Sequence, residues 1–187
     1  MEFKKSSLTV IIGPMFSGKT SYLLGVYAAF NNISNRIVAI NHKIDDRYTK
    51  GYMCSHDNKK IKCSTVTNLK DFCKKNVNKY DVFLINEGQF FENLYDTVLN
   101  LVEKHNKIVY VCGLDGDFKR NKMGEILNLI PISDNVVKLK SRCRCGDDAI
   151  FTCRMASKID SQVLVGGSEI YQPLCRKCYL REQVRKI

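Results

Sequence analysis

An aliphatic run without alternation, Leu8-Thr9-Val10-Ile11-Ile12, breaks at Gly13-Pro14-Met15-Phe16-Ser17-Gly18-Lys19-Thr20, and apolar residues then return at helical spacing as Leu23, Val26, Tyr27 and Phe30. The first run predicts a strand covered on both faces, the kind a parallel sheet uses. The spacing that follows predicts an amphipathic helix entered directly from the loop. The eight loop residues satisfy GxxxxGK[ST]. In such a loop glycines let backbone N–H groups turn toward phosphate oxygens, and the helix N-terminus adds partial positive charge. Gly13, Pro14, Met15, Phe16, Ser17 and Gly18 are therefore expected to form a phosphate cradle, with Lys19 reaching the terminal phosphates and Thr20 offering a hydroxyl to Mg²⁺. A plain glycine-rich turn is the competing reading, and the agreement of the motif with both flanks favours the cradle.

Further strands and helices alternate behind this unit. Arg36 to Ile40 reads as a second strand, followed by a polar stretch from Asn41 to Lys60 that carries Asp45-Asp46-Arg47-Tyr48 and Ser55-His56-Asp57. Charges just beyond a strand's carboxyl end stand where open α/β sheets build their sites, so Asp45 and Arg47 are candidates to face phosphate or its metal. An incidental ion pair in a solvated loop fits the same spacing, and His56 reads as structural. Ile61-Lys62-Cys63 reads as a short strand, and Asn68 as the cap of a helix from Leu69 to Val77. Val82-Phe83-Leu84-Ile85 then runs into Asn86-Glu87, the form of a second nucleotide-site strand whose end normally brings an Asp to the metal. Here that position holds Asn86, and Glu87 is the carboxylate placed to act as a general base. A helix from about Glu92 to Lys104 and a strand Ile108 to Cys112 follow. The alternation predicts a parallel sheet covered by helices on both faces.

The pattern changes from about Asn135. Cys143 and Cys145 form a CxC pair and Cys175 and Cys178 a CxxC pair, with Gly166-Gly167 between them. Four such thiols predict a structural Zn²⁺ site closing a small, loop-rich lobe, with Cys153 as a substitute ligand because the first pair is tight. The expected division is a nucleotide-binding unit over 1–138 and a zinc lobe over 139–187. Nine cysteines in 187 residues with no signal-like segment argue for thiols and metal ligands, and for a soluble, cytoplasmic protein without a membrane span. The net charge of +11 suits a nucleotide as well as nucleic acid, and its scatter without basic-aromatic blocks argues against nucleic acid as the partner.

Taken together, these motifs resemble the type II thymidine kinases, the family of the animal cytosolic and poxvirus enzymes. The resemblance runs from Leu8 to Tyr179. It includes GPMFSGKT at Gly13 to Thr20, DxRY at Asp45 to Tyr48, SHD at Ser55 to Asp57 and xEGQFF at Asn86 to Phe91. LDGxFxR at Leu114 to Arg120, ILNLIP at Ile126 to Pro131, the Gly166-Gly167 pair and YxxxCRxCY at Tyr171 to Tyr179 complete it. The resemblance implies transfer of the γ-phosphate of ATP to the 5′-hydroxyl of thymidine or deoxyuridine, with Mg²⁺, a structural Zn²⁺ and a homotetrameric assembly. It implies Glu87, Lys19 and Arg47 as catalytic, with Asp45 and Asn86 at the nucleotide and its metal. It also implies a nucleoside pocket of Met15, Phe90, Leu114, Phe118 and Thr152, closed by Val165, Gly166 and Tyr171. Read without the resemblance, Met15, Leu114 and the two Phe residues are plain core. Three departures stand out: Asn86 where the family has Asp, Met123 where an aromatic is usual, and the CxC pair. Two other readings are a zinc-ribbon nucleic-acid-binding switch, and a nucleotide-binding paralogue without turnover, the latter prompted by Asn86.

Overall fold

The computed structural model describes residues 6–33, 36–45, 51–55, 59–155 and 161–184. The aliphatic run before the loop is strand β1 (Ser7–Ile12), and the helix entered from the loop is α1 (Lys19–Asn31). Strand β2 (Ile37–His42) follows, then three short strands, β3 (Tyr52–Cys54), β4 (Lys60–Lys62) and β5 (Ser64–Val66). Helix α2 (Leu69–Asn76) begins where expected, because the Asn68 side chain accepts from the Asp71 N–H at 2.9 Å. Strand β6 (Val82–Ile85) leads through a 3₁₀ turn at Gly88–Phe90 to helix α3 (Leu94–Leu99).

The helix expected from Glu92 is shorter at its start and irregular at its end. Asn93 takes a left-handed backbone at φ 55°, which delays α3, and Glu125 accepts from the Tyr95 N–H at 3.0 Å. The last turn, Asn100–Lys104, widens to a π-helix, with the His105 N–H reaching the Asn100 carbonyl. Strand β7 (Ile108–Gly113), a 3₁₀ stretch at Ile126–Ile132 containing Pro131, and strand β8 (Asn135–Lys138) complete this half. Beyond it lie β9 (Ser141–Arg142), β10 (Asp148–Ala149), β11 (Phe151–Arg154), β12 (Tyr171–Leu174) and helix α4 (Arg176–Val184).

Six strands form one sheet in the order β5-β2-β6-β7-β1-β8, and every pairing in it is parallel. All carboxyl ends therefore open on one edge, which gathers Gly13, Asn41, Asn86 and Gly113 into a line of neighbours. One face is covered by α2, α3 and the 126–132 turn, whose Leu69, Cys73, Leu94, Val98, Leu101, Ile126 and Leu129 pack on Val10, Phe83, Ile85 and Val109. The other is covered by α1 through Leu23 and Leu24, and by Met53 of the β3–β4 hairpin. A separate small cluster, Cys143, Ala149, Cys153, Leu174, Cys175, Cys178 and Tyr179, lies under α4. Among the described residues no helix is long and apolar enough to cross a membrane.

At the amino end of the sheet one carboxylate ties three neighbouring strands. Asp81, before β6, accepts from Arg36, before β2, at 2.6 Å and from Lys107, before β7, at 3.4 Å. The Arg36 hydrogen bond, aided by Lys107, holds the Asp81 carboxyl below the usual carboxylate range. A depressed folded-state pKa stabilises the fold above the ordinary carboxylate pKa, about 3.9, and that contribution disappears as the pH falls through the folded value. Asp81→Asn is expected to lower the denaturant midpoint at pH 7, with the gap to wild type closing below about pH 4. Urea melts of both proteins across that range check it.

Candidate active site

The loop after β1 is held in shape by its own lysine and by the chain beyond β8. Phe16 and Gly18 both take left-handed backbones, at φ 62° and 82°, which turns the loop tightly into α1. The Lys19 ammonium arches back to donate to the Pro14 carbonyl at 2.6 Å and the Gly13 carbonyl at 3.1 Å. Gly13 has no room for a side chain: an added Cβ would stand 2.5 Å from the Leu139 carbonyl oxygen and 2.9 Å from Ser17 Oγ. Two bonds staple the loop to the C-terminal segment. Met15 N–H donates to Thr152 Oγ1, and Ser141 Oγ donates to the Phe16 carbonyl, both at 2.9 Å.

The loop forms one wall of a cavity of about 670 Å³. Met15, Phe16, Ser17, Gly18, Lys19 and Thr20 line it together with Asp45, Glu87, Phe90, Leu114, Phe118, Thr152, Val165, Gly166 and Tyr171. Met123 lines it as well. Gly13 and Pro14 support the loop from behind and are not in the lining. Arg47, Tyr48, His56 and Asp57 lie outside the described residues.

Glu87 enters the cavity from an uncommon backbone, left-handed at φ 54°, a conformation that costs a non-glycine residue on the order of 1 kcal/mol or more. The turn at Gly88–Phe90 holds it there. Gln89, 5 % exposed, donates from Nε2 to the Glu87 carboxylate at 2.6 Å, and its Oε1 accepts from the Leu114 N–H at 3.0 Å. One buried amide thus fixes the carboxylate against the β7 end. Gly113 is required beside it, because a Cβ there would stand 2.1 Å from Gln89 Oε1.

Asn86 is not part of the lining. It is 3 % exposed, its Nδ2 donates to Asn41 Oδ1 at 2.9 Å, and its Oδ1 accepts from the Cys112 thiol at 2.9 Å. Burial pushes that thiol up to about 12, with the nearby Glu87 charge adding to the shift, so it stays a neutral donor. The Asn41 amide in turn donates to the Asp45 carboxylate at 3.2 Å. Thr20, Asp45 and Glu87 present hydroxyl and carboxylate oxygens to the same cavity, a donor set that fits a hard divalent cation such as Mg²⁺.

The opposite wall is closed by residues 161–171, and an arginine secures it. Arg154, 3 % exposed, lies 3.8 Å over the Phe118 ring and donates to the Tyr171 hydroxyl and the Ser161 carbonyl, both at 2.8 Å. Tyr171 passes the contact on by donating to the Leu164 carbonyl at 2.8 Å, and Gln162 donates to Asp117 at 3.0 Å. The Tyr179 hydroxyl donates to the Phe118 carbonyl at 2.6 Å, and burial keeps it protonated by raising its pKa. Arg154, Asn41 and Cys112 have no motif-level signal, since each acts through a partner distant in sequence; Gln89 lies inside the EGQFF motif, but its bond to Leu114 is visible only in the fold.

The four cysteines converge. The Sγ atoms of Cys143, Cys145, Cys175 and Cys178 lie within 4.8 Å of one another, and Cys145 and Cys175 are 3.6 Å apart. Tetrahedral Zn²⁺ with thiolate bonds near 2.3 Å needs sulfurs about 3.8 Å apart, so the set fits that ion. Burial opposes ionisation of Cys143, yet hydrogen bonds from Cys145 and Cys175 pull its thiol down to about 7. The CxC pair suffices because the chain turns at once, with the Gly146 N–H bonding back to the Cys143 carbonyl at 2.9 Å and Gly146 left-handed at φ 94°. Cys153, weighed as a substitute, stands outside the group and directs its thiol to the Arg154 carbonyl at 3.8 Å.

Comparison with known proteins agrees with this geometry. A family model described as thymidine kinase matches residues 6–179. A protein of Oryza sativa subsp. japonica named thymidine kinase is 40% identical over 181 residues, covering 94% of this chain and 66% of its own length. Thymidine kinase a of Arabidopsis thaliana is 38% identical over 180 residues, 94% of this chain and 75% of its own. A monkeypox virus protein named thymidine kinase is 36% identical over 174 residues, 92% of this chain and 96% of its own.

The cysteine geometry makes metal removal informative. Because the lobe has only a small apolar cluster, a bound metal would carry much of its folding free energy. Chelation, or Cys175→Ser, is expected to lower the melting temperature and expose residues 141–184 to protease, while zinc analysis of the purified chain returns one equivalent. Unchanged melting after chelation would contradict a structural metal.

Proposed function

The chain belongs to the thymidine kinase family, and from that premise we propose that it transfers the γ-phosphoryl group of ATP to the 5′-hydroxyl of thymidine or deoxyuridine. The observation that supports this most is that the phosphate loop and Glu87 line one cavity with the closing segment 162–171, so donor and acceptor halves face each other. Family membership favours a working transferase over the nucleic-acid switch and the inactive paralogue.

In this reading the loop amides and Lys19 hold the phosphates, and the hydrogen bonds of Lys19 to its own loop carbonyls are exchanged for phosphate oxygens. Glu87 accepts the proton of the 5′-hydroxyl as its oxygen attacks the γ-phosphorus, the bond to the β-phosphate oxygen breaks, and ADP leaves. Gln89 keeps the Glu87 carboxylate aimed during this step. Thr20 and Asp45 would hold a Mg²⁺ ion, which would neutralise charge on the phosphates. Arg47, by its motif, belongs beside the transferring group. Met15, Phe90, Leu114, Phe118 and Thr152 receive the nucleoside, and Val165, Gly166 and Tyr171 close over it. The apolar wall suits a base face, while the backbone of the closing segment offers hydrogen bonds to its edge. The Cys₄ group would hold Zn²⁺ as a structural ion. We place the chain in a homotetramer in the cytoplasm, with the division near residue 138 separating nucleotide and zinc units.

Incubation with Mg·ATP and each of the four deoxynucleosides tests the assignment. Thymidine monophosphate is the expected product, and Glu87→Gln should lower kcat by about 10² to 10⁴, the usual contribution of a positioned base. Product from none of the four nucleosides would reject the proposal.

Arg154 generates a separate expectation. Arg154→Met removes the contacts that secure the closing segment without touching the phosphate loop. It should raise the thymidine KM by about tenfold or more, since two charge-assisted hydrogen bonds to the closing segment are lost, and leave the ATP KM nearly unchanged. Steady-state kinetics in both substrates check it.

A further inference from the structure

Three adjacent strands end in a polar row. Ile40 of β2 pairs with Ile85 of β6, and Ile85 with Val111 of β7, so Asn41, Asn86 and Cys112 stand side by side one residue further on. Alternation puts all three on the face that α1 covers, directly above Ala39, Leu84 and Tyr110. They are 5 %, 3 % and 0 % exposed, so the row continues a core layer in polar residues.

The hydrogen bonds in this row run one way. The Cys112 thiol donates to Asn86 Oδ1 at 2.9 Å, Asn86 Nδ2 to Asn41 Oδ1 at 2.9 Å, and Asn41 Nδ2 to Asp45 Oδ2 at 3.2 Å. A carboxylate only accepts, so Asp45 sets the orientation of the Asn41 amide, which sets that of Asn86. A turn brings the carboxylate back over Asn41: the Asp45 N–H bonds the His42 carbonyl at 3.1 Å, and the Ile44 N–H bonds His42 Nδ1 at 3.1 Å. Apolar side chains would fill the row without burying polar groups. What the polar row adds is a fixed donor for one carboxylate, which shares its cavity with Lys19, Thr20 and Glu87.

We propose that Asn41 and Asn86 are positioning residues that hold the Asp45 carboxylate toward the phosphate loop, making Asp45 this chain's acidic partner for the divalent cation that accompanies the nucleotide. The inference rests on the phosphotransfer reading. Residue 86 then acts through Asn41 and touches no metal, so an aspartate at this position gains nothing. The carboxylate of Asn86→Asp needs a donor from Asn41, whose amide turns its nitrogen toward β6 and leaves its oxygen facing the Asp45 carboxylate. A direct metal contact at residue 86 demands the opposite, tighter cation binding in that variant.

Mn²⁺ titration of the full chain with a non-hydrolysable ATP analogue, followed by electron paramagnetic resonance, reads the cation without turnover. Asn86→Asp and Asn41→Leu should each weaken Mn²⁺ binding by about tenfold, the effect of losing one hydrogen bond to a charge. Asn41→Leu combined with Asp45→Asn should be no weaker than Asp45→Asn alone, because both act on one interaction. Cys112→Ser keeps a donor and should retain wild-type affinity. Thermal melts establish that each variant is folded, and the near-isosteric Asn86→Asp carries the test if Asn41→Leu does not fold. Tighter or unchanged Mn²⁺ binding in Asn86→Asp, or additive losses in the double variant, overturns the proposal alone. A wild-type chain that binds no Mn²⁺·nucleotide overturns the phosphotransfer reading and the proposal with it.

Discussion

The parallel register of β2, β6, β7 and β1 is the constraint on which the rest of this structure depends. Because Ile40, Ile85 and Val111 stand level, as do Ile11 and Cys112, whatever follows each strand emerges at one edge. The phosphate loop, the Asp45 turn, Glu87 and the Leu114 loop are four consequences of that alignment. The strands are locked at both ends. Asp81 with Arg36 and Lys107 ties three of them at the amino end, and Asn41, Asn86 and Cys112 tie the same three at the carboxyl end. The first lock is half-solvated and ionic, so salt and acid weaken it. The second is buried and built from neutral side chains, so it contains no ion pair for salt to screen.

The C-terminal segment depends on that edge and completes it. Its apolar cluster is small, and it is organised by a thiol group, by α4, and by the stack of Arg154 on Phe118. Two hydrogen bonds, from Met15 to Thr152 and from Ser141 to Phe16, join it to the phosphate loop itself. Through Thr152 and then β11 and β12, the loop backbone is thus linked to the wall formed by residues 161–171. Met15, a residue of the loop, is thereby bonded to the C-terminal segment as well.

Much of this was legible in residue order. The strand-loop-helix unit, the Asn68 cap, the sheet's parallel character and the convergence of the two cysteine pairs follow from periodicity, capping chemistry and thiol spacing. The start of α3 was not, since nothing local marks Asn93 as left-handed. Nor was the polar row: Asn41 reads as the first residue of a loop and Cys112 as the end of an apolar strand, and only the cross-strand register makes them neighbours. Asn86 read as a residue at the nucleotide and its metal because motif position was the only guide to it. It is 3 % exposed and stands outside the cavity lining.

What the sequence by itself determined is the local chemistry: a loop that can cradle phosphate, a carboxylate at Glu87, four thiols able to hold zinc, and the alternation that selects a parallel α/β sheet. Those properties depend on residues within one turn or one strand of each other, so order along the chain suffices to state them. Only the tertiary structure decided which groups face the cavity and which stand behind it, bringing Gln89 to Glu87, Arg154 to Phe118, and Asn86 and Asn41 to Asp45. The reason is physical: a side-chain amide or guanidinium has no fixed partner until strand register and packing bring one within about 3 Å, the reach of a hydrogen bond.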